Sequence, residues 1–262
     1  MIPILGIIDD IRKAAKQGFA GAQNNLHFTY YLIGEAYFNG YGVAKDHVEA
    51  VKWYRIAAVQ GNARAQNTLG HAYYRGEGVA KDHVEAVWWF RTAAEQGNAI
   101  AQRRVGYAYD LGEGVAKDQV EGVKWYRKAA DQGDAKAQLN LGLAYYRGEG
   151  VAKDHVEAVK WWRKAAEQGN TQAQLKLGKA YHWGNGVARD YVEAVKWFRK
   201  AAEQGYAEAQ VSLGSAYATG EGVAKDNVEA VQWYRKAAEQ GNTGAKIFLA
   251  ILQADPEIRA LG

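Results

Sequence analysis

Apolar side chains return at three- and four-residue steps along this chain, and glycines interrupt them on a fixed schedule. In the stretch from Ala63 to Asn98, Ala65, Leu69, Ala72 and Tyr73 fall on one face of a helix that Asn62 caps and Gly76 stops. Gly76-Glu77-Gly78-Val79-Ala80-Lys81-Asp82 then reads as a short turn whose apolar Val79 plugs it against the helices. Asp82 with Glu85 three residues on has the capping-box pattern, and Val87, Phe90 and Ala94 line one face of a second helix that Gly97 closes. So short a connection makes the two helices antiparallel, an αα-hairpin.

The hairpin is written six times. Trp53, Trp89, Trp125, Trp161, Trp197 and Trp233 stand 36 residues apart, each two residues after a valine and just before Tyr, Phe or Trp. They read as wedges packed between hairpins. A glycine inside the first helix would cost about 1 kcal/mol relative to alanine. Yet Gly34, Gly70, Gly106, Gly142, Gly178 and Gly214 hold one phase, which predicts close approach of a neighbouring helix to the backbone. Tyr37, Tyr73, Tyr109, Tyr145, Tyr181 and Tyr217 form a second series whose hydroxyls are expected at a polar edge. The fold class is therefore all-α, a helix-turn-helix solenoid in which each unit contacts mainly its neighbours.

The ends depart from the pattern. Ile11 to Gly18 matches the tail of a second helix, so residues 1–19 read as an N-terminal cap or partial repeat. Between Ala22-Gln23 and Ile33-Gly34 the spacing exceeds the standard one by seven residues, two helical turns that preserve the face and predict a lengthened first helix. The expected organisation is a single solenoid over 1–262: the cap, six repeats over 20–242, and a C-terminal capping helix with a tail over 243–262.

Composition narrows the function. The two prolines, Pro3 and Pro256, lie outside the repeats, as continuous helical packing requires. The 33 basic residues are dispersed among 29 acidic ones for a net charge of +4, which argues against a nucleic-acid partner. Cysteine is absent, so no disulfide, thiolate metal site or thiol nucleophile is available. The apolar opening Met1 to Ile8 is followed by Asp9 and Asp10 and is far too short to span a membrane. The sequence as it stands reads as cytoplasmic, and as periplasmic or secreted if a leader has been removed.

Catalytic chemistry finds no foothold. His47, His83 and His155 share one place after the capping aspartate, where stacking separates them by whole repeats and prevents convergence on a metal. Gln119, Tyr191 and Asn227 replace them elsewhere, which reads as a permissive exposed position. Paired carboxylates such as Asp82 and Glu85 already serve as caps, and no phosphate loop, nucleophile elbow or convergent base is present. The expectation is a protein that is not an enzyme, with no catalytic residue, no cofactor and no metal.

From Ala135 to Tyr145, through Gly148-Glu149-Gly150-Val151-Ala152-Lys153-Asp154, and on from Ala158 to Gly169, the chain resembles the Sel1-like repeat family. These are α/α hairpins related to tetratricopeptide repeats but longer, and the resemblance covers residues 9 to 253. It implies a right-handed superhelix that serves as an adaptor for protein or peptide partners, often in bacteria. The cysteine-rich branch of the family, linked to β-lactam binding, is excluded by the absence of cysteine.

If the first helices line the concave side, as in related folds, their variable positions form the groove. Those are Asn67, His71, Tyr74 and Arg75 in one unit, Arg103, Tyr107, Asp110 and Leu111 in the next, then Leu139, Leu143, Tyr146 and Arg147. Leu175, Lys179, His182 and Trp183 follow, then Val211, Ser215, Ala218 and Thr219. Such a surface, aromatic and aliphatic in its middle with mixed charge, suits a peptide or a helix. Two other readings stand beside the adaptor. One is a carbohydrate or cell-wall-fragment module, which exposed coplanar indoles around Trp88, Trp162 or Trp183 would favour. The other is a consensus-like scaffold with no evolved client, which variation spread over all surfaces would favour. A monomer is expected, with the solenoid ends as the surfaces for self-association.

Overall fold

The computed structural model describes residues 20–254, and thirteen α-helices without a strand run among them. The segment 1–19 and the tail beyond Ala254 lie outside the described residues. The chain divides into two compact units, Met1–Gln132 and Gly133–Gly262. The first holds three hairpins: α1 (Ala20–Asn39) with α2 (His47–Val59), α3 (Ala63–Arg75) with α4 (His83–Glu95), and α5 (Ala99–Leu111) with α6 (Gln119–Asp131). The second holds α7 (Ala135–Arg147) with α8 (His155–Glu167), α9 (Thr171–Trp183) with α10 (Tyr191–Glu203), and α11 (Ala207–Thr219) with α12 (Asn227–Glu239), followed by α13 (Thr243–Gln253). Helix α1 runs 20 residues where the other first helices run 13.

Local chemistry sets each boundary. Asn62 Oδ1 accepts from the Ala65 amide at 2.9 Å to start α3, and Gly76, at φ +75°, ends it with its own N–H and that of Glu77 both donating to the Ala72 carbonyl. Asp82 Oδ1 accepts from the amides of Val84 and Glu85 to start α4. Only half of the expected capping box forms. The Glu85 carboxylate accepts from the Trp89 indole N–H at 3.0 Å instead, because an otherwise buried indole needs an acceptor. Glu193 does the same for Trp197 at 3.1 Å.

The core of each hairpin is built around the interior glycine. A Cβ at Gly70 would lie 2.6 Å from the Phe90 ring, one at Gly142 2.5 Å from Trp162, and one at Gly178 2.6 Å from Phe198. The ring that fills each place belongs to the second helix of the same hairpin. Fully buried Leu69 and Val105 in the first unit, and Leu141, Leu177 and Leu213 in the second, occupy the adjoining layer. Trp89, Trp125, Trp161, Trp197 and Trp233 are buried and Trp53 is half-buried.

Buried glutamines tie hairpin to hairpin. Gln66, 3% exposed, donates to the Ala58 carbonyl at 3.0 Å and accepts from Gln96 at 2.6 Å, and Gln174 repeats both bonds with Ala166 and Gln204. The first bond reaches back to the preceding hairpin and the second to the following helix, so one side chain is satisfied in the core by both neighbours. In the tyrosine series Arg55 donates to the Tyr73 hydroxyl, Arg163 to that of Tyr181, and Arg199 to that of Tyr217 at 2.6 Å.

The histidine position is corrected. His47, His83 and His155 are half-buried, not exposed, and stack on Phe38, Tyr74 and Tyr146 at 4.6, 4.9 and 4.6 Å between ring centres. The stack closes the open end of each hairpin, where the chain turns from first helix to second.

Candidate functional site

The repeats differ along the face of their first helices, and the two compact units carry different side chains there. In the first unit, Asn67, His71, Tyr74, Arg103 and Asp110 are half-buried, and Arg75, Tyr107 and Leu111 are exposed. Tyr74 donates to Glu113 at 2.9 Å and Arg75 lies 3.6 Å from Glu77. Asp110 accepts from Gln119 at 3.3 Å and from the Tyr126 hydroxyl, and with burial it raises the Tyr126 pKa. The ring of His71 meets Phe90 edge-on at 5.0 Å.

In the second unit the expected groove needs correcting at two positions. Leu139 and Leu175, 5% and 2% exposed, are core residues and offer nothing to a partner. They share a phase with half-buried Asn67 and Arg103, but that phase lies on the border of the face: a polar chain reaches outward from it while leucine turns in. Leu143, Tyr146, Lys179 and His182 are half-buried, and Arg147 and Trp183 are exposed. Arg147 sits 3.4 Å from Glu149, and His182 Nδ1 sits 3.9 Å from Glu221 while its ring meets Trp183 edge-on. On α11, Val211, Ser215 and Ala218 are half-buried and Thr219 is exposed.

Two cations outside the expected groove also belong to this face. Arg104 and Lys176, two repeats apart in the same phase, are half-buried. Burial, then Arg103 and Arg75, lowers the Arg104 pKa; burial, then Lys179 and Arg147, lowers that of Lys176. Their signal in the sequence was a polar position, Thr68, Arg104, Asn140, Lys176, Ser212, just before the buried Leu69, Val105, Leu141, Leu177 and Leu213. Arg104 lines a cavity of about 300 Å³ in the first unit with Phe38, Tyr54, Thr68, His71 and Arg75.

His71 is the site's titrating group. Burial first, then Arg104, Arg75 and Arg103, pushes its pKa from 6.5 down to about 4. An imidazole that resists protonation when folded leaves the unfolded chain the stronger proton binder across that window. The stability that neutral His71 contributes is complete above pH 6.5 and is lost as the pH falls toward 4, a loss of about 1–3 kcal/mol after solvent screening. Denaturant midpoints at pH 7.5 and 4.5 are expected to separate less for His71→Gln than for the parent. Equal separation would refute this.

Of the three indoles that a sugar platform would draw on, Trp162 is buried and Trp88 and Trp183 are exposed. The wedge indoles are further covered by lysine, with Lys128 over Trp125 at 3.9 Å and Lys236 over Trp233 at 4.0 Å. Among the described residues, no three His, Asp or Glu side chains group as metal ligands, and no helix is long and apolar enough to cross a membrane.

A family model described as Sel1 repeat matches residues 28–62, 63–98, 99–134, 135–170, 171–206 and 207–242, six consecutive hairpins. The chain belongs to the Sel1 repeat family. Among solved structures, this Sel1 repeat chain is similar to a protective antigen of uropathogenic Escherichia coli strains displaying an SLR fold, at 37% identity and a TM-score of 0.84. The match covers 95% of this chain and 60% of that one, so the chain spans 60% of that antigen's length. It is also similar to a Sel1 repeat protein from Oxalobacter formigenes, at 39% identity and a TM-score of 0.75, covering 82% of this chain and 86% of that one. Comparison with curated proteins returned no match. Sel1 repeat solenoids are in general noncatalytic protein-interaction scaffolds.

Proposed function

We propose that the chain is a noncatalytic adaptor that binds a protein or peptide along the first-helix face of its hairpins. The observation that carries this is the distribution of difference among the repeats. Turns, caps, wedge tryptophans and buried glutamines recur almost unchanged. The phase of His71 instead reads Glu35, His71, Tyr107, Leu143, Lys179, Ser215, and that of Arg75 reads Asn39, Arg75, Leu111, Arg147, Trp183, Thr219. Drift alone would scatter change over both helices. Change concentrated on the first-helix face and at the second-helix position packed against it across the turn supports selection for contacts, and a preorganised solenoid spends little entropy in making them. The groove expected from sequence is kept with Leu139 and Leu175 removed and with Arg104 and Lys176 added.

Tyr107→Ala, Lys179→Ala and Trp183→Ala together are expected to weaken partner binding at least about tenfold, since exposed aromatic and cationic anchors dominate such interfaces. The test is quantitative capture from source-cell extract on immobilised parent and triple variant, with circular dichroism showing that both are folded. Equal capture by both, or no saturable capture by the parent, would refute this face as the binding surface.

A further inference from the structure

In the first unit half-buried Arg104 stands beside an open cavity and makes no ion pair among the described residues. Among the described residues Arg104 Nε is buried without a hydrogen-bond partner, and Arg104 lines the cavity with Phe38, Tyr54, His71, Arg75 and one carboxylate, Glu77. The carboxylates around it are already engaged. Glu35 accepts from the Tyr54 hydroxyl at 2.7 Å, Glu113 from Tyr74 at 2.9 Å, and Asp110 from Tyr126 and Gln119, while Glu77 lies beside Arg75. Tyrosine phenols thus occupy the acids, and Arg104 is left among Arg75, Arg103 and a neutral His71. A half-buried guanidinium among other cations is costly, and a carboxylate entering the cavity it lines would offset its charge.

The same register is cationic again in the second unit, where Lys176 and Arg147 stand two repeats on from Arg104 and Arg75. Glu77, Asp110 and Glu113 at this face would repel a continuous run of phosphates, whereas a peptide can present one carboxylate at Arg104 and neutral groups elsewhere.

We propose, resting on the adaptor reading above, that the α3–α5 face takes an acidic peptide segment of a partner protein, with one Asp or Glu carboxylate entering the cavity to pair with Arg104. The crowding of positive charge among Arg75, Arg103 and Arg104 is then offset on binding.

The test is panning of a phage-displayed random dodecapeptide library on the full chain at low salt. Clones that carry an Asp or Glu among neutral residues are expected to be enriched, with retention falling about tenfold or more for Arg104→Gln, since removing one partner of a desolvated charge pair is costly. Arg75→Gln, an exposed and structurally milder change, is expected to weaken the same clones, and thermal melts establish that both variants are folded. Enrichment of neutral or apolar clones indifferent to Arg104→Gln would overturn the acidic inference and leave the adaptor reading standing. Acidic clones retained by both variants as well as by the parent, or no enriched clone at all, would overturn the inference. So would a polyuridylate oligonucleotide bound through Arg104 as well as any acidic clone.

Discussion

Trp162→Ala is expected to destabilise the second unit by about 3–5 kcal/mol, the cost of truncating a large aromatic in a close-packed core. Trp162 is 2% exposed, its ring fills the space over the Gly142 backbone, and it meets Tyr146 at 5.3 Å. Removing it opens a void between α7 and α8 over the Gly142 backbone. Trp162→Phe is a different matter, because Phe90 and Phe198 occupy the same place in two other hairpins. The Trp162 indole N–H is buried without a hydrogen-bond partner, so phenylalanine also removes an unsatisfied donor. Its cost is expected to be about 1 kcal/mol or less, by volume change alone. Urea unfolding of parent and both variants, followed by circular dichroism, checks the pair. Similar losses for Ala and Phe would show that the site is not the interchangeable wedge the repeats describe.

The hairpins were legible in the sequence because what makes them is local. An Asp or Asn cap bonds amides two or three residues away, and a glycine at positive φ ends a helix within its own turn. Periodicity finds such signals. The interior glycines were legible as close approaches, but which ring approached them was not: Phe90 is 20 residues beyond Gly70, and only the packed hairpin brings them together.

Pairs across the turn were the least visible, although the repeats encode them. Phe38 with His47, Tyr74 with His83, and Tyr146 with His155 stack; Asp110 with Gln119 hydrogen-bonds; His182 meets Tyr191 edge-on at 5.1 Å. When one member changes chemistry, the other changes with it. Read one position at a time, the histidines look permissive; read as pairs nine residues apart, they are constrained. The same limitation misplaced part of the candidate site. Helical phase puts Leu139 with Asn67 and Arg104 beside the core, but which border side chains turn in and which reach out depends on each one's polarity and on the helix beside it.

Gly186→Ala is expected to cost about 3–5 kcal/mol, combining left-handed backbone strain with a steric conflict that no rotamer relieves. Gly186 has φ +76°, and a Cβ there would lie 2.1 Å from the His155 carbonyl oxygen and 2.3 Å from its carbon. This second glycine of the turn is pressed against the backbone that begins α8, so the turn following α9 is seated on the hairpin before it. The obstacle is main chain, and moving it would disturb the start of a helix. Gly205 separates the two contributions. At φ +86°, with nothing within 4 Å of the place a Cβ would take, Gly205→Ala carries the strain alone and is expected to cost about 1–2 kcal/mol. Because each hairpin is stabilised by its neighbours, the larger lesion is also expected to loosen both sides of the contact, visible as faster amide exchange in α8 and α9 together. Equal losses for the two alanines, or exchange confined to the turn, would mean that the second glycine serves only its own backbone angle and does not seat one repeat on another.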